Sequence, residues 1–159
     1  MSNTERSIDE GFMRIALDLA RSAGEAGEVP VGAVVTYYDE IIGKGANSRE
    51  ATGDPTAHAE LVALRHAAQA LGTWRLTGMT LYVTLEPCPM CAGGLLAARV
   101  SRLVFAAPDP KSGACGSLYN LCADPRLNHE LAVERWVLAG AAGELLTEWF
   151  SARRSPVSS

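Results

Sequence analysis

Residues 79–100 read MTLYVTLEPCPMCAGGLLAARV, and this stretch decides the architecture. Its opening, MTLYVTLE, is a continuous apolar run of strand length, the pattern of a strand buried on both faces. The run stops at Pro87. Pro89 then falls in the first turn of a helix rich in Ala and Leu, where its missing N–H costs nothing. A buried strand that passes directly into a helix is the building unit of an α/β sheet.

Upstream, PTAHAELVALR (55–65) starts a helix that carries His58 and Glu60 at its mouth and ends near Gly72. The loop NSREATGDPT precedes it. VPVGAVVTYY and EIIGKGAN read as two strands of a hairpin around Tyr38-Asp39-Glu40. SIDEGFMRIALDLARSAGEAG has helical periodicity, with Ser7 and Glu10 as a capping box. Downstream, SRLVFAA reads as a strand, LAVERWVLA beyond a long loop as the last strand, and GELLTEWFSARR as a closing helix. The terminal Pro-Val-Ser-Ser reads as an unstructured end. This order predicts a three-layer α/β/α sandwich around a mixed five-stranded sheet, one domain over 1–159 with an ordered core from about 7 to 154.

Composition narrows the class. The chain has 159 residues, 48% hydrophobic and 20% charged, as a folded soluble domain would. No apolar run approaches the roughly 18–20 residues of a membrane helix, so no membrane partner is expected. The polar start MSNTERSIDE lacks the apolar region of a secretory signal, and a cytoplasmic protein is expected. Four cysteines are too few for a disulfide scaffold, and Cys88 and Cys91, spaced C-x-x-C, point to metal or redox chemistry.

Cys88 and Cys91 share one face of a first helical turn, where unpaired N–H groups favour thiolates. His58 holds the equivalent place on the preceding helix. Three such ligands leave the fourth position of a tetrahedral zinc open to water, the mark of a catalytic site. Glu60 beside them is suited to moving protons. His-x-Glu with a later Pro-Cys-x-x-Cys is a recognised signature of zinc-dependent base deaminases. A redox C-x-x-C would leave His58 and Glu60 unexplained. A structural zinc would need a fourth ligand from Cys115, Cys122, His66 or His129, none of which has ligand spacing.

DPTAHAE and LYVTLEPCPMCAGG resemble the cytidine deaminase superfamily and, within it, the bacterial tRNA-specific adenosine deaminases. The likeness runs from about Phe12 to Arg154, through EVPVGAVV, GKGAN, FAAPDPKSGACGSLYN and Asn128-His129. It implies hydrolysis of adenosine to inosine at the wobble position of a tRNA anticodon stem-loop, by a homodimer with one zinc per chain. By the same resemblance His58, Cys88 and Cys91 are the zinc ligands and Glu60 the proton shuttle. Asn47 would contact the base, Val29, Pro30 and Val31 would wall it, and Asp109, Lys111 and Ser112 would touch the flanking nucleotides. Read without the family, Asn47 is a turn residue, Val29–Val31 strand core, and the 109–112 segment a solvated turn.

Two other functions stay open: a deaminase of a free base or nucleotide on the same scaffold, and a non-catalytic zinc module. The net charge of −4 is not that of a nucleic-acid binder. A local basic rim built from Arg99, Arg102, Lys111, Arg153 and Arg154 would reconcile the two.

Overall fold

A strand apolar on both faces needs a layer on each side. In the computed structural model, which describes residues 1–154, the decisive run takes that place as β3 (Thr80–Leu85). The other strands are β1 (Gly32–Tyr37), β2 (Glu40–Ala46), β4 (Arg102–Ala107) and β5 (Ala132–Glu134), in the order β2-β1-β3-β4-β5. β1 runs antiparallel to both β2 and β3, while β3, β4 and β5 are parallel, so the five-stranded sheet is mixed as expected.

Alternate strand residues feed two cores. Val34, Tyr82, Val104 and Ala106 meet α1 (Asn3–Glu25) and α5 (Ala139–Arg153). Ala33, Val35, Leu81, Val83, Leu103 and Phe105 meet α3 (Ala59–Leu71) and α4 (Pro89–Ala97). Glycine lets α3 sit very close to β2: a Cβ on Gly45 would lie 2.4 Å from the Ala59 carbonyl oxygen, and one on Gly43 2.5 Å from that of Ala63. The three layers of the sandwich follow directly.

Several boundaries differ from the sequence expectation. α1 begins at Asn3, and its capping box is Ser2–Glu5, not Ser7–Glu10. Both pairs fit the S-x-x-E pattern, and the earlier one adds a further turn to the helix. The next turn of α1 hides a charge. Asp9 is buried and takes two hydrogen bonds from Arg102, at 2.8 and 2.6 Å, and one from the Tyr82 hydroxyl at 2.8 Å. The hairpin turn is Tyr38-Asp39 alone, both with positive φ (48° and 59°), and Glu40 already belongs to β2. The last strand is only three residues long, because Trp136 (φ 65°) and Leu138 (φ 57°) swing the chain out of the sheet. α5 therefore starts at Ala139, four residues before the expected Gly143. The loop after β2 contains one helical turn, α2 (Arg49–Thr52). The expectation for Pro-Val-Ser-Ser lies outside the described residues. Among the described residues no helix is long and apolar enough to cross a membrane.

Candidate active site and metal centre

Strand polarity selects one end of the sheet. β2 ends at Ala46, β3 at Leu85 and β4 at Ala107, while β1 starts at Gly32, and pairing sets Gly32 beside Ala46 and Leu85 beside Ala107. The loops that leave these ends carry Asn47, Glu86–Cys88 and Asp109. Ligand sites of α/β sheets characteristically form at such carboxyl ends.

α3 and α4 both start here, each with a candidate metal ligand as its N-cap: His58 (φ −73°, ψ 149°) and Cys88 (φ −74°, ψ 173°). Neither side chain caps its own helix, so both are free to turn into the space between the two helix ends. His58 Nδ1 lies 3.6 Å from Cys88 Sγ and 3.4 Å from Cys91 Sγ, and the three ligand atoms fall within 4.8 Å of one another. Tetrahedral zinc, with roughly 2.3 Å bonds to sulfur and 2.0–2.1 Å to nitrogen, would hold sulfur and nitrogen about 3.5 Å apart. The donor set therefore fits zinc in spacing and in chemistry. Cys91 donates toward Cys88, which pulls the Cys88 thiol down to about 5 and pushes that of Cys91 above its usual range. Cys88 is thus a ready thiolate, and Cys91 must give up its proton to bind metal.

The first amides of a helix have no acceptor within it, and here the N-cap side chain supplies none. Asn47 fills that gap: its Oδ1 accepts from Ala59 N at 3.1 Å, and its Nδ2 donates to the Val29 carbonyl at 3.0 Å. One side chain thereby fixes both the start of α3 and the segment before β1. Glu60, at the second position of α3, is 4% exposed and faces Cys91, and burial pushes its carboxyl up to about 7.

These groups border a cavity of about 190 Å³ lined by Val29, Val31, Asn47, His58, Glu60 and Cys88, with Asp109 and Ser112 across from them. Three of the predicted site residues do not line it: Cys91, which is fully buried behind the other two members of the cluster, Pro30 and Lys111. Pro30 is buried against α1, where a Cβ on Gly24 would lie 3.2 Å away. It sits at a tight turn just before β1, where Val31 N donates to the Val29 carbonyl at 2.9 Å, and only its neighbours Val29 and Val31 line the cavity. Lys111 is exposed and borders a groove along α5 with Phe150, Arg153 and Arg154. The basic rim is thinner than its residue count. Arg102 is spent on Asp9 at the far end of β4, Arg99 donates to Leu96 O, and Arg153 donates to Gly24 O while stacking on Trp149.

Sequence reasoning missed Arg49, Leu85 and Glu86, which also line the cavity. Glu86 had a signal: it is the one charge that ends an otherwise apolar strand. Among the described residues, the remaining cysteines and histidines join no such cluster. Cys115 and Cys122 are fully buried, His66 Nδ1 meets the Lys44 amide, and His129 Nε2 meets the Val100 carbonyl.

Residues 6–107 match the cytidine and deoxycytidylate deaminase zinc-binding region. The chain is 49% identical over 142 residues to the tRNA-specific adenosine deaminase of Bacillus subtilis, covering 89% of this chain and 88% of that one. A solved structure from a study of A-to-I editing by tRNA:A34 deaminases superposes with a TM-score of 0.83 at 43% identity, over 86% of this chain and 99% of that chain. The guanine deaminase of Nitrosomonas europaea has the same fold at greater distance, with a TM-score of 0.78 and 26% identity over 89% of this chain and 84% of that one.

Proposed function

Because the chain belongs to the cytidine and deoxycytidylate deaminase zinc-binding family, and within it to the tRNA-specific adenosine deaminases, we propose that this site converts adenosine to inosine at the wobble position of a tRNA anticodon. The observation that carries the chemistry is the His58–Cys88–Cys91 cluster with the buried Glu60 beside it, at the floor of one small cavity. The substrate rests on kinship: 49% identity to a tRNA enzyme against 26% to a free-base enzyme.

His58, Cys88 and Cys91 would hold one zinc per chain. When bound, the metal supplies a Lewis acid that makes water nucleophilic near neutral pH. Glu60 is placed to take a proton from an attacking water as the water oxygen bonds to C6 of adenine, and would deliver that proton to N1. Glu60 then moves the second water proton to N6, the C6–N6 bond breaks, and ammonia leaves with inosine. Burial favours the protonated form of the carboxyl, which suits a group that has to hold a proton between two transfers. Asn47 keeps one amide hydrogen free for the base, and Val29 and Val31 form an apolar wall for the ring. Asp109 and Ser112 face the neighbouring nucleotides, while Lys111 and Arg154 meet phosphates from the groove along α5.

A homodimer is part of this reading. Leu61, Leu64, Leu76 and Ala97 line an apolar groove of about 340 Å³ between α3 and α4, beside an exposed Trp74. A second copy covers that face, and sedimentation should give twice the chain mass.

The test is an RNA series. A short stem-loop with adenosine at the wobble position should release ammonia and gain inosine, because its base is already half unstacked. The same sequence held in a duplex should not react. Equal rates on hairpin, duplex and free adenosine would leave a deaminase without the tRNA assignment.

A further inference from the structure

We propose that Glu86 is the positioning residue that presents the 108–117 loop to the RNA. This rests on the assignment of Asp109 and Ser112 to the nucleotides beside the target. Glu86 is 2% exposed and, among the described residues, forms no ion pair. Its carboxylate instead takes four hydrogen bonds from the one loop. Oε1 accepts from Asp109 N at 3.1 Å and from the Ser117 hydroxyl. Oε2 accepts from Cys115 N at 3.1 Å and Ser117 N at 3.0 Å. The loop closes so tightly that a Cβ on Gly113 would lie 2.3 Å from Oε2. Asp109, anchored through its amide, in turn accepts from Lys111 N at 3.0 Å and Ser112 N at 3.2 Å. The order is thus nested: Glu86 sets Asp109, and Asp109 sets the turn that carries Ser112.

Four donors on two oxygens require an acceptor-only group. A glutamine in the same place would aim its NH₂ at the Asp109 amide in one orientation and at the Cys115 and Ser117 amides in the other, and of the four groups only the Ser117 hydroxyl could turn to accept. Glu86→Gln therefore changes no shape and no metal ligand, yet it breaks the anchor. Zinc content, amide hydrogen exchange, and kcat and KM on the stem-loop are measured in parallel for wild type, Glu86→Gln and Ser117→Ala. In Glu86→Gln, KM should rise about tenfold while kcat stays within about threefold. One zinc per chain should remain. The amides of Asp109, Cys115 and Ser117 should exchange faster, with those of α3 and α4 still protected. Ser117→Ala, which removes one of the four hydrogen bonds of the same anchor, should shift KM the same way by less. Loss of kcat at constant KM, loss of zinc, or unchanged amide protection would each overturn the proposal. If Glu86→Gln does not fold, Ser117→Ala decides alone: a raised KM at constant kcat supports the anchor, and an unchanged KM overturns it. Failure of wild type on the stem-loop would refute the tRNA reading instead, and the exchange data would still report whether Glu86 holds the loop.

Discussion

Glu60 keeps a carboxyl at 4% exposure, with burial as the dominant cause that lifts it from 4.5 to about 7. That shift has a thermodynamic sign. Between about pH 4.5 and 7 the folded protein binds a proton that the unfolded chain has released, so stability is full below 4.5 and falls as pH rises. At 1.36 kcal/mol per unit the loss is about 3 kcal/mol. Cys88, pulled down to about 5, acts in the opposite sense above that pH, so the test is a difference. Chelator-treated wild type should lose about 3 kcal/mol against Glu60→Gln between pH 4.5 and 7 in urea titrations. A gap that stays flat would show that the carboxyl is not held at that value by burial. With zinc restored, Glu60→Gln should keep its metal and lose turnover by several orders of magnitude, since only the proton carrier has gone.

Individual elements place the metal centre through backbone approach. The N-terminus of α3 lies where it does because Gly43 and Gly45 have no side chain to hold the helix off β2. Gly45→Ala would force a Cβ to within 2.4 Å of the Ala59 carbonyl, the residue between His58 and Glu60. Overpacking of this kind costs about 1–3 kcal/mol, and here it should also swing His58 away from Cys88 and Cys91. The expected outcome is a lower melting temperature together with weaker zinc retention in competition with a coloured chelator. Gly143→Ala is the control. It lies within α5 with nothing within 4 Å of an added Cβ, and should stabilise by about 0.5–1 kcal/mol without changing zinc affinity. Loss of zinc from the control, or full retention in Gly45→Ala, would detach the metal site from the helix–strand approach.

Across the whole molecule, charge is arranged more economically than a net −4 suggests. Two of the arginines that a basic rim would use hold layers together: Arg102 ties α1 to the sheet through Asp9, and Arg153 ties α5 to the end of α1 through Gly24 O. Lys111, Arg154 and Arg49 remain on the site's side of the molecule. With only about three phosphate contacts, the log–log salt slope for stem-loop binding should be near −2, and Lys111→Ala should reduce it by about 0.7. Arg102→Met should leave that slope alone but cost about 3–5 kcal/mol in denaturation, because Asp9 would stay buried with no cation. A steeper wild-type slope would mean a larger basic surface than these residues supply.

The parts of this protein that its sequence determined are those written in neighbouring residues. An apolar run placed β3 at the centre of the sheet, and a proline after it opened α4. His58 and Glu60, and Cys88 and Cys91, announced themselves because each pair stands within one turn of a helix start, where φ, ψ and side-chain direction follow from local chemistry. The rest depends on strand register and on partners far along the chain, and only the tertiary structure decided it. Glu60 and Glu86 are both carboxylates near a ligand motif, yet one faces Cys91 and the other a loop 23–31 residues away. Arg102 and Arg153 look like free cations until they meet Asp9 and Gly24, 93 and 129 residues distant. Glu60, Glu86 and Asp9 are all buried, at 2–4% exposure, and what separates them is the partner each meets, Cys91, the 109–117 loop or Arg102, and those meetings exist only once the layers have closed.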